Sequence, residues 1–406
     1  MSQSFKTIQS SKISKGHKTY GPRTTVLHLC PDLNPDETAR ETVDLAILTQ
    51  RSGWRAIIAS GGGTLVNDSE RAAVRHHRIP FHQQGIFAHW RKRVLLENLI
   101  QKERPALLHA HGIDVLPYAY TIARLHHIPL IADLTQFFDD TPQRQRLLTN
   151  VMAISSLIRV PSAFMGDYLY KTYHIAAERL HHVPPGIDLR WYNAGTISPE
   201  RMQALSRLWR LPELASVILI PMPFTVGGGH KTFLEALARL KDENIFAVLL
   251  GNSPNHQPLI DFNIEDSVRE LGLEGKVIVQ EFCTDWPTAC WLSSVIVTPN
   301  ERPRGQSMPL LAAQAIGRPV IITDCGANIE MVRKDETAWI VPPHNALLLS
   351  DVLREAIHLS TDQRLTLADN TRHFVAETFP QAQWFNEMIE LYETLLAQHA
   401  PIARLA

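Results

Sequence analysis

A glycine-rich segment in the second half of the chain has the residue types of an anion-binding loop. Three consecutive glycines, Gly227 to Gly229, precede His230, Lys231 and Thr232 at the predicted start of a helix. Bare backbone amides at a helix N-terminus attract anions, and a lysine adds positive charge. The order differs from a Walker loop, where lysine follows glycine after a defined spacing. A phosphate-binding loop and a flexible loop with a surface lysine both fit this segment.

A second loop, Asn300–Ser307, contains a cation and a carboxylate. Arg304 could hold a phosphate by a bidentate contact, or it could be a solvated loop arginine. Glu301 precedes it by three residues and could serve as a catalytic carboxylate, although a surface charge is the commoner role. Both residues therefore enter the list of candidates with an ordinary structural alternative.

Two features of the first half could also bind ligands. His109 and His111 are two residues apart on a predicted strand, so their side chains point the same way. They could bind an acceptor or a metal, but no third ligand is recognisable, so packing or hydrogen bonding is favoured and no metal is expected. The segment His89–Leu96 is basic and amphipathic, which suits anionic lipid headgroups or a solvated charged face.

The second loop lies within a predicted β-α-β unit. Apolar residues ending at Val297 predict a buried strand, Met308 to Ile316 predict a helix, and Gly317 is the residue expected just past its end. A further strand begins at Pro319. In parallel sheets, ligands bind at the carboxyl ends of the strands, where Asn300–Ser307 and the turn after Thr323 both fall.

Apolar strands and amphipathic helices alternate through most of the chain, including a helix predicted over 143–153. The rhythm predicts an α/β fold with two successive Rossmann-like parallel-sheet domains. The expected organisation is a flexible tail over 1–22, an N-terminal domain over 23–188, a linker over 189–214, a C-terminal domain over 215–380, and a C-terminal helix over 381–406 that packs back on the N-terminal domain.

Composition limits the possible partners. The 406 residues include 40 lysines and arginines against 41 aspartates and glutamates, which argues against a nucleic-acid binder. The four cysteines have no zinc-site spacing and indicate a reduced, cytoplasmic protein. No apolar run is long enough to span a bilayer, so any membrane contact is expected to be peripheral, at the inner membrane face.

Several motifs, most of them in the second half of the chain, carry a resemblance to a known family. They are Leu311–Ile321, Asp324–Ala327 with Glu330, Trp339–Pro343, Val183–Asp188 and Phe233–Leu240. With these motifs the chain resembles the glycosyltransferases of family 4 over about residues 24–398. The resemblance implies a GT-B architecture, in which two Rossmann-like domains face each other across a cleft. It also implies transfer of a sugar from a nucleotide-sugar donor, with no cofactor.

The site residues that the family pattern implies are replaced here. Arg304 and Ala312 occupy the positions of two glutamates that handle the donor sugar and ribose. Pro223 and Gly228 occupy the positions of an arginine and a lysine that clamp the donor diphosphate. Fixed cations at that place would stabilise the departing diphosphate. The catalytic residues are therefore left unassigned.

In the first domain, Asp36 and Glu37 stand where the family has a glycine pair, Thr135 stands where it has an acceptor-side histidine, and Gly61–Gly63 are retained. Donor binding is assigned to Gly228, Gly229, Lys231, Arg304, Gly326 and Glu330, and acceptor binding to His109, His111 and Thr135.

Two functions fit these residues. The first is a glycosyltransferase that uses a nucleotide sugar and a glycan or lipid-linked acceptor in cell-envelope or exported polysaccharide assembly, with a rearranged donor site. The second is a non-catalytic relative that acts as a partner subunit or as a sensor of glycans or nucleotide sugars. The frequency of active members in the family favours the first function, and the replaced residues favour the second.

Overall fold

A computed structural model describes residues 24–34, 36–83, 85–135, 149, 157–251, 263–280 and 283–399. The predicted tail over 1–22 and most of the helix predicted over 143–153 lie outside these ranges. The chain divides into two compact units, one formed by Met1–Pro184 with Ala382–Ala406 and the other by Pro185–Gln381.

The first unit contains a seven-stranded parallel sheet with the strand order β3-β2-β1-β4-β5-β6-β7. Its strands are β1 (Thr25–Leu29), β2 (Arg55–Ser60), β3 (Arg75–Arg78), β4 (Leu107–His111), β5 (Leu130–Asp133), β6 (Leu157–Val160) and β7 (Leu180–His182). Its helices include α1 (Glu37–Arg51), α2 (Val66–Arg71), α3 (Ile86–Glu103), α4 (Leu116–His126) and α5 (Ala163–Tyr173), and a 3-10 helix spans Ala177–Arg179.

Central strands of this sheet are buried along their whole length because helices cover both faces. Strand β3 is different. Its sequence, Arg-His-His-Arg, has no apolar residue, and it lies at the edge of the sheet, where only one neighbour is needed. An apolar pattern therefore could not reveal it.

The second unit contains a six-stranded parallel sheet with the order β10-β9-β8-β11-β12-β13. Its strands are β8 (Ser216–Pro221), β9 (Ile245–Leu250), β10 (Val277–Gln280), β11 (Val295–Thr298), β12 (Val320–Thr323) and β13 (Ala338–Val341). Its helices are α6 (Pro199–Leu208), α7 (His230–Ala238), α8 (Ile264–Glu270), α9 (Trp286–Leu292), α10 (Met308–Ile316), α11 (Ala346–Ile357) and α12 (Thr361–Thr378), with 3-10 helices at Ala194–Thr196 and Ala327–Met331.

The predicted β-α-β unit is present as β11, α10 and β12. Helix α10 spans the predicted residues and ends at Gly317, whose φ of 84° is left-handed. Two Rossmann-like parallel sheets, as predicted, make up the α/β fold.

The segments at the two ends of the second unit contribute to different apolar cores. The stretch predicted as a linker, 189–214, includes α6 and contributes Leu205 and Trp209 to the apolar core of the second unit. The last helix, α13 (Gln381–His399), belongs to the first unit, where Trp384 and Tyr392 pack against β1 and β4 residues such as Val26 and Leu107.

Candidate functional site

The glycine-rich loop of the second unit connects β8 to α7 and rests on the end of β11. Gly229 has a φ of 75°, and a β-carbon at this position would stand 1.6 Å from the carbonyl oxygen of Pro299. Only glycine permits so close an approach. The first amides of a helix have no intrahelical partner, and no side chain among the described residues caps the N-terminus of α7 in their place.

Two residues at the start of α7 have opposite environments. Lys231 is exposed and forms no ion pair with any described residue. His230 is buried, and burial lowers the pKa of its ring to about 4, with the charge of Arg304 acting in the same direction. Neither ring nitrogen makes a well-formed hydrogen bond to another described residue, although the Met222 carbonyl favours the protonated ring. Lys231, not His230, is therefore the residue available to an anion.

The second loop is tied to the first through its backbone. The amides of Glu301 and Arg302 donate to the Gly227 carbonyl oxygen at 2.8 and 3.2 Å. The hydroxyl of Thr232, on the first turn of α7, donates to the Glu301 carboxylate, and His344 Nδ1 lies 3.4 Å from the same carboxylate. The two loops therefore form one structure at the edge of the sheet.

Arg304 joins this structure to a third loop. Its guanidinium donates to the hydroxyl of Thr225, and its carbonyl oxygen accepts a hydrogen bond of 3.0 Å from Ala327. Gly326 has a φ of 84° and packs so tightly on Arg304 that a β-carbon would stand 2.6 Å from the Arg304 nitrogen. Arg304 is thus a half-buried residue between two loops rather than a solvated side chain.

These loops follow β8, β11 and β12, which are adjacent in the sheet. They bring together the predicted donor residues Gly228, Gly229, Arg304 and Gly326. Glu330 is half-buried in the 3-10 helix that follows Gly326, and not in the first turn of an α-helix. The amide of Gly228 donates to Thr225 within its own loop at 3.0 Å, so it is not available to a ligand.

Asn328 is a polar residue of this edge that the sequence analysis missed. It is buried, accepts a hydrogen bond of 3.0 Å from the Ser307 amide, and donates to the Thr298 hydroxyl at 3.4 Å. The sequence does place this asparagine directly after the Gly-Ala pair of the loop that follows β12, and that position could have indicated it. It holds the start of α10 against β11.

Three of the four positions at which the family pattern has charged residues contain small or apolar ones, and Arg304 occupies the fourth. Ala312 is 2% exposed and belongs to the apolar core cluster of the second unit. Pro223 is exposed and Gly228 is buried. Near α7, the described residues of these loops include three cations, Lys231, Arg302 and Arg304. The side chain of Arg302 covers Gly227.

In the first unit, His109 and His111 are buried together with a third histidine, His28. The exposed fractions of the three side chains are 0%, 2% and 0%. Burial lowers the pKa of all three rings, and neighbouring histidines lower those of His28 and His109 further. The two histidines predicted to bind an acceptor are therefore not exposed at the surface of this unit. Thr135 lies just after β5 and is half-buried.

A charged group adjoins these histidines. Arg159 on β6 contacts both oxygens of Asp133 at 3.1 Å and Glu41 on α1 at 2.6 Å. Burial raises the pKa of Glu41 to about 7, opposed by Arg159, whereas the guanidinium and His111 hold the pKa of Asp133 below its usual value against the effect of burial. Two buried carboxylates share one arginine.

Asp36, which stands where the family pattern has a glycine, has a local structural role. Its carboxylate accepts a hydrogen bond of 2.7 Å from the Ala39 amide and caps α1. A carboxylate at this position stabilises the helix.

Known proteins are similar to both halves of the chain. Residues 39–191 match the family described as Glycosyltransferase Family 4, and residues 223–358 match the family described as Glycosyl transferases group 1. A D-inositol 3-phosphate glycosyltransferase of Xylanimonas cellulosilytica is 27% identical over 55% of this chain and 53% of its own. An MMP alpha-(1->4)-mannosyltransferase of Mycolicibacterium hassiacum is 27% identical over 61% of this chain and 56% of its own. The chain thus spans about half the length of the curated relatives it matches.

Solved structures share the architecture. A glycosyltransferase from Rickettsia africae has a TM-score of 0.79 and 20% identity over 92% of this chain and 98% of its own. The Anabaena protein HepE, in complex with UDP and glucose, has a TM-score of 0.80 and 17% identity over 91% of this chain and 100% of its own. The two parallel-sheet units therefore have the GT-B fold of glycosyltransferases. Within that class, the chain belongs to the family 4 glycosyltransferases, as the resemblance predicted.

Proposed function

We propose that the protein transfers a sugar from a nucleotide-sugar donor to a glycan or lipid-linked acceptor in cell-envelope or exported polysaccharide assembly. The donor site is the cluster of three loops around the N-terminus of α7. The observation that carries the proposal is the joining of these loops, through Gly229, Glu301 and Arg304, around uncapped helix amides. HepE binds UDP-glucose, which supports a donor of this chemical class.

The electrostatics of the loop cluster suit a diphosphate. Burial lowers the pKa of the His230 ring, whereas burial and Asp324 raise the pKa of the Cys325 thiol. The positive charge of Arg304 acts downward on both, so its field reaches both neighbouring loops. Lys231 adds an exposed cation beside the helix amides, whose dipole also favours an anion. A diphosphate that gains charge as it leaves would be stabilised by this arrangement.

The replaced glutamates do not exclude transfer. Ala312 provides no carboxylate, and Glu301 is engaged by Thr232 and His344. A protein carboxylate is unnecessary if a donor phosphate oxygen accepts the proton of the acceptor hydroxyl. The proposed site therefore relies on cations and amides to stabilise the leaving group.

The proposal is tested by calorimetric titration of the full chain with UDP-, GDP- and ADP-sugars, together with an assay of donor hydrolysis. We expect binding of one class of donor, and a loss of affinity of roughly tenfold in Lys231→Ala, which corresponds to about 1.4 kcal/mol for one charged hydrogen bond. Lys241→Ala is the control because Lys241 is also exposed and lies just past the same helix. No binding at millimolar donor would contradict the proposed site.

The alternative function is a non-catalytic relative that serves as a partner subunit or as a sensor of glycans or nucleotide sugars. The replacements at Pro223, Gly228, Arg304 and Ala312 favour it. The sensor function would be supported if the donor binds but is not turned over, either in the hydrolysis assay or with any acceptor preparation. Turnover that Lys231→Ala abolishes and Lys241→Ala leaves intact would exclude it.

The proposed location is cytoplasmic, with a peripheral membrane contact. No helix within the described ranges is both long and apolar enough to cross a bilayer. Ile86, Phe87 and Trp90 at the start of α3 are 87%, 89% and 66% exposed, and Arg91 and Arg93 are exposed beside them. Such a surface suits an anionic lipid headgroup region.

Lys92, within the basic segment His89–Leu96, is buried and donates to the carbonyl oxygens of Phe81 and Gln83, so it does not belong to this exposed surface. Flotation with vesicles of anionic or of zwitterionic lipid tests the contact. We expect the protein to bind the anionic vesicles, and the double substitution Phe87→Ser with Trp90→Ser to remove that binding. Equal recovery of the protein with both kinds of vesicle would contradict the proposed contact.

A further inference from the structure

The three buried histidines of the first unit come from two adjacent strands. In the parallel register of β1 and β4, His28 pairs with His109, and His111 lies two residues further along β4 on the same face. His28 Nδ1 is 3.0 Å from His111 Nε2, and the ring centres of His109 and His111 are 3.9 Å apart. Ring nitrogens of all three lie within 4.8 Å of one another.

This cluster contains buried nitrogens that the described residues leave without a hydrogen bond. They are Nε2 of His28 and Nε2 of His109, in side chains that are 0% exposed. An unpaired polar atom in a protein interior costs free energy, and buried groups of this kind are commonly satisfied by water or by an ion. Two such atoms beside a third imidazole are therefore nitrogens that a bound metal ion could satisfy.

The surroundings orient the rings as an outer shell orients metal ligands. Tyr392 on α13 forms a hydrogen bond of 2.8 Å with His109 Nδ1, so Nε2 is the nitrogen of His109 left for a ligand, with Asp133 Oδ2 3.7 Å away. Asp133 Oδ2 lies 3.6 Å from His111 Nδ1, on the side of the ring away from His28. A carboxylate or hydroxyl on the second nitrogen fixes the tautomer and raises the basicity of a ligating imidazole.

The charge of the neighbourhood also favours a cation. Asp133 and Glu41 share the single guanidinium of Arg159, and Asp133 and Arg159 are buried whereas the Glu41 side chain is 15% exposed. Two carboxyl groups against one guanidinium leave room for a further positive charge nearby. A divalent cation held by neutral imidazoles a few ångströms away would supply this charge.

We propose that His28, His109 and His111 bind a divalent transition metal of the zinc class, through one ring nitrogen each, at a buried site with a structural role. Three neutral imidazoles are ligands that such metals prefer, whereas Mg²⁺ and Ca²⁺ prefer oxygen. The metal would join β1 to β4 beneath α13. The site lies in the first unit and its assignment does not depend on the proposed donor site of the second.

The experiment uses the full chain expressed in medium supplemented with Zn²⁺ or with Co²⁺, because a buried site fills most readily during folding. We expect one metal per chain by mass spectrometry of the dialysed protein, and visible absorption of low-symmetry Co²⁺ in the cobalt form. At saturating metal we expect the melting temperature to rise by roughly 5 °C or more relative to chelator-treated protein.

Two kinds of variant locate the metal. His109→Asn and His111→Asn are expected to lose the cobalt spectrum. His126→Asn, which changes a half-buried histidine on α4 paired with Glu97 on α3, is expected to keep it. Tyr392→Phe retains the three ligands and a well-packed ring, and loss of its hydroxyl is expected to weaken metal binding about 10- to 100-fold.

Tyr392→Phe keeps the test decisive if a histidine variant fails to fold. Folded wild-type protein that retains no metal and shows no cobalt spectrum would overturn the proposal. So would a spectrum that is unchanged in folded His109→Asn or His111→Asn, because the metal would then lie elsewhere.

Discussion

Gly229 lies so close to Pro299 that a β-carbon on the glycine would stand 1.6 Å from the proline carbonyl oxygen. This contact places the N-terminus of α7 directly on the end of β11. Because the neighbouring atom is backbone, a larger residue cannot be accommodated by rotating a side chain. The geometry of the proposed donor site therefore depends on a glycine that carries no chemistry itself.

Gly229→Ala is expected to destabilise the protein by roughly 3 kcal/mol, the sum of left-handed backbone strain and a steric clash in a packed place. Urea unfolding measures the change. Gly272→Ala is the matched control because Gly272 has a φ of 66° but no atom within 4 Å of its β-carbon position. We expect about 1 kcal/mol there. Equal losses in the two variants would contradict the assigned clash.

Arg304→Glu restores the residue type of the family pattern and reverses the charge beside Thr225. If Arg304 stabilises a donor diphosphate, affinity for nucleotide sugar should fall about tenfold or more, because a carboxylate there repels the phosphates. Calorimetry measures the affinity, and Arg239→Glu, at an exposed position after α7, is the control. Unchanged or tighter donor binding in Arg304→Glu would show that this cation is not part of the donor site.

Arg159→Met removes the one guanidinium that Asp133 and Glu41 share and leaves two carboxylates buried without it. Breaking a buried ion pair from one side costs about 3 to 5 kcal/mol. We expect a loss of this size by denaturant unfolding. Arg124→Met, at an exposed position on α4, should change stability by less than about 0.5 kcal/mol. A loss below about 1 kcal/mol in Arg159→Met would mean that the carboxylates are protonated in the folded protein.

His230 makes stability depend on pH. Its folded pKa is about 4, below the ordinary value of 6.5, so the unfolded chain binds a proton between these values that the folded protein does not. Stability should therefore fall as the pH drops from about 6.5 to about 4, by about 1.4 kcal/mol per pH unit from this residue.

His230→Phe, which keeps a ring against Phe224, should remove that part of the pH dependence. Unfolding of both proteins at pH values across this window measures the difference. Parallel stability curves for the two proteins would contradict the lowered pKa of His230.

Local sequence patterns were sufficient where local interactions form the structure. Helix α10 and the residue that ends it were predicted to the residue, because Met308–Ile316 contains no breaker and Gly317 accepts the left-handed conformation. The alternation of buried strands with helices predicted two parallel sheets for the same reason. Strand β3 was not predicted, because an edge strand made of arginines and histidines has no apolar pattern.

The sequence by itself determined the fold class, the loops at the carboxyl edge and the glycines that those loops require. Only the tertiary structure decided which side chains meet. His28 reaches His111 across 83 residues and Tyr392 reaches His109 across 283, because the register of β1 on β4 and the return of α13 to the first unit place them together. Likewise, Arg304 turns to Thr225, 79 residues away, rather than to solvent. Side-chain partners across a sheet are chosen by packing over long sequence distances, which no local pattern records.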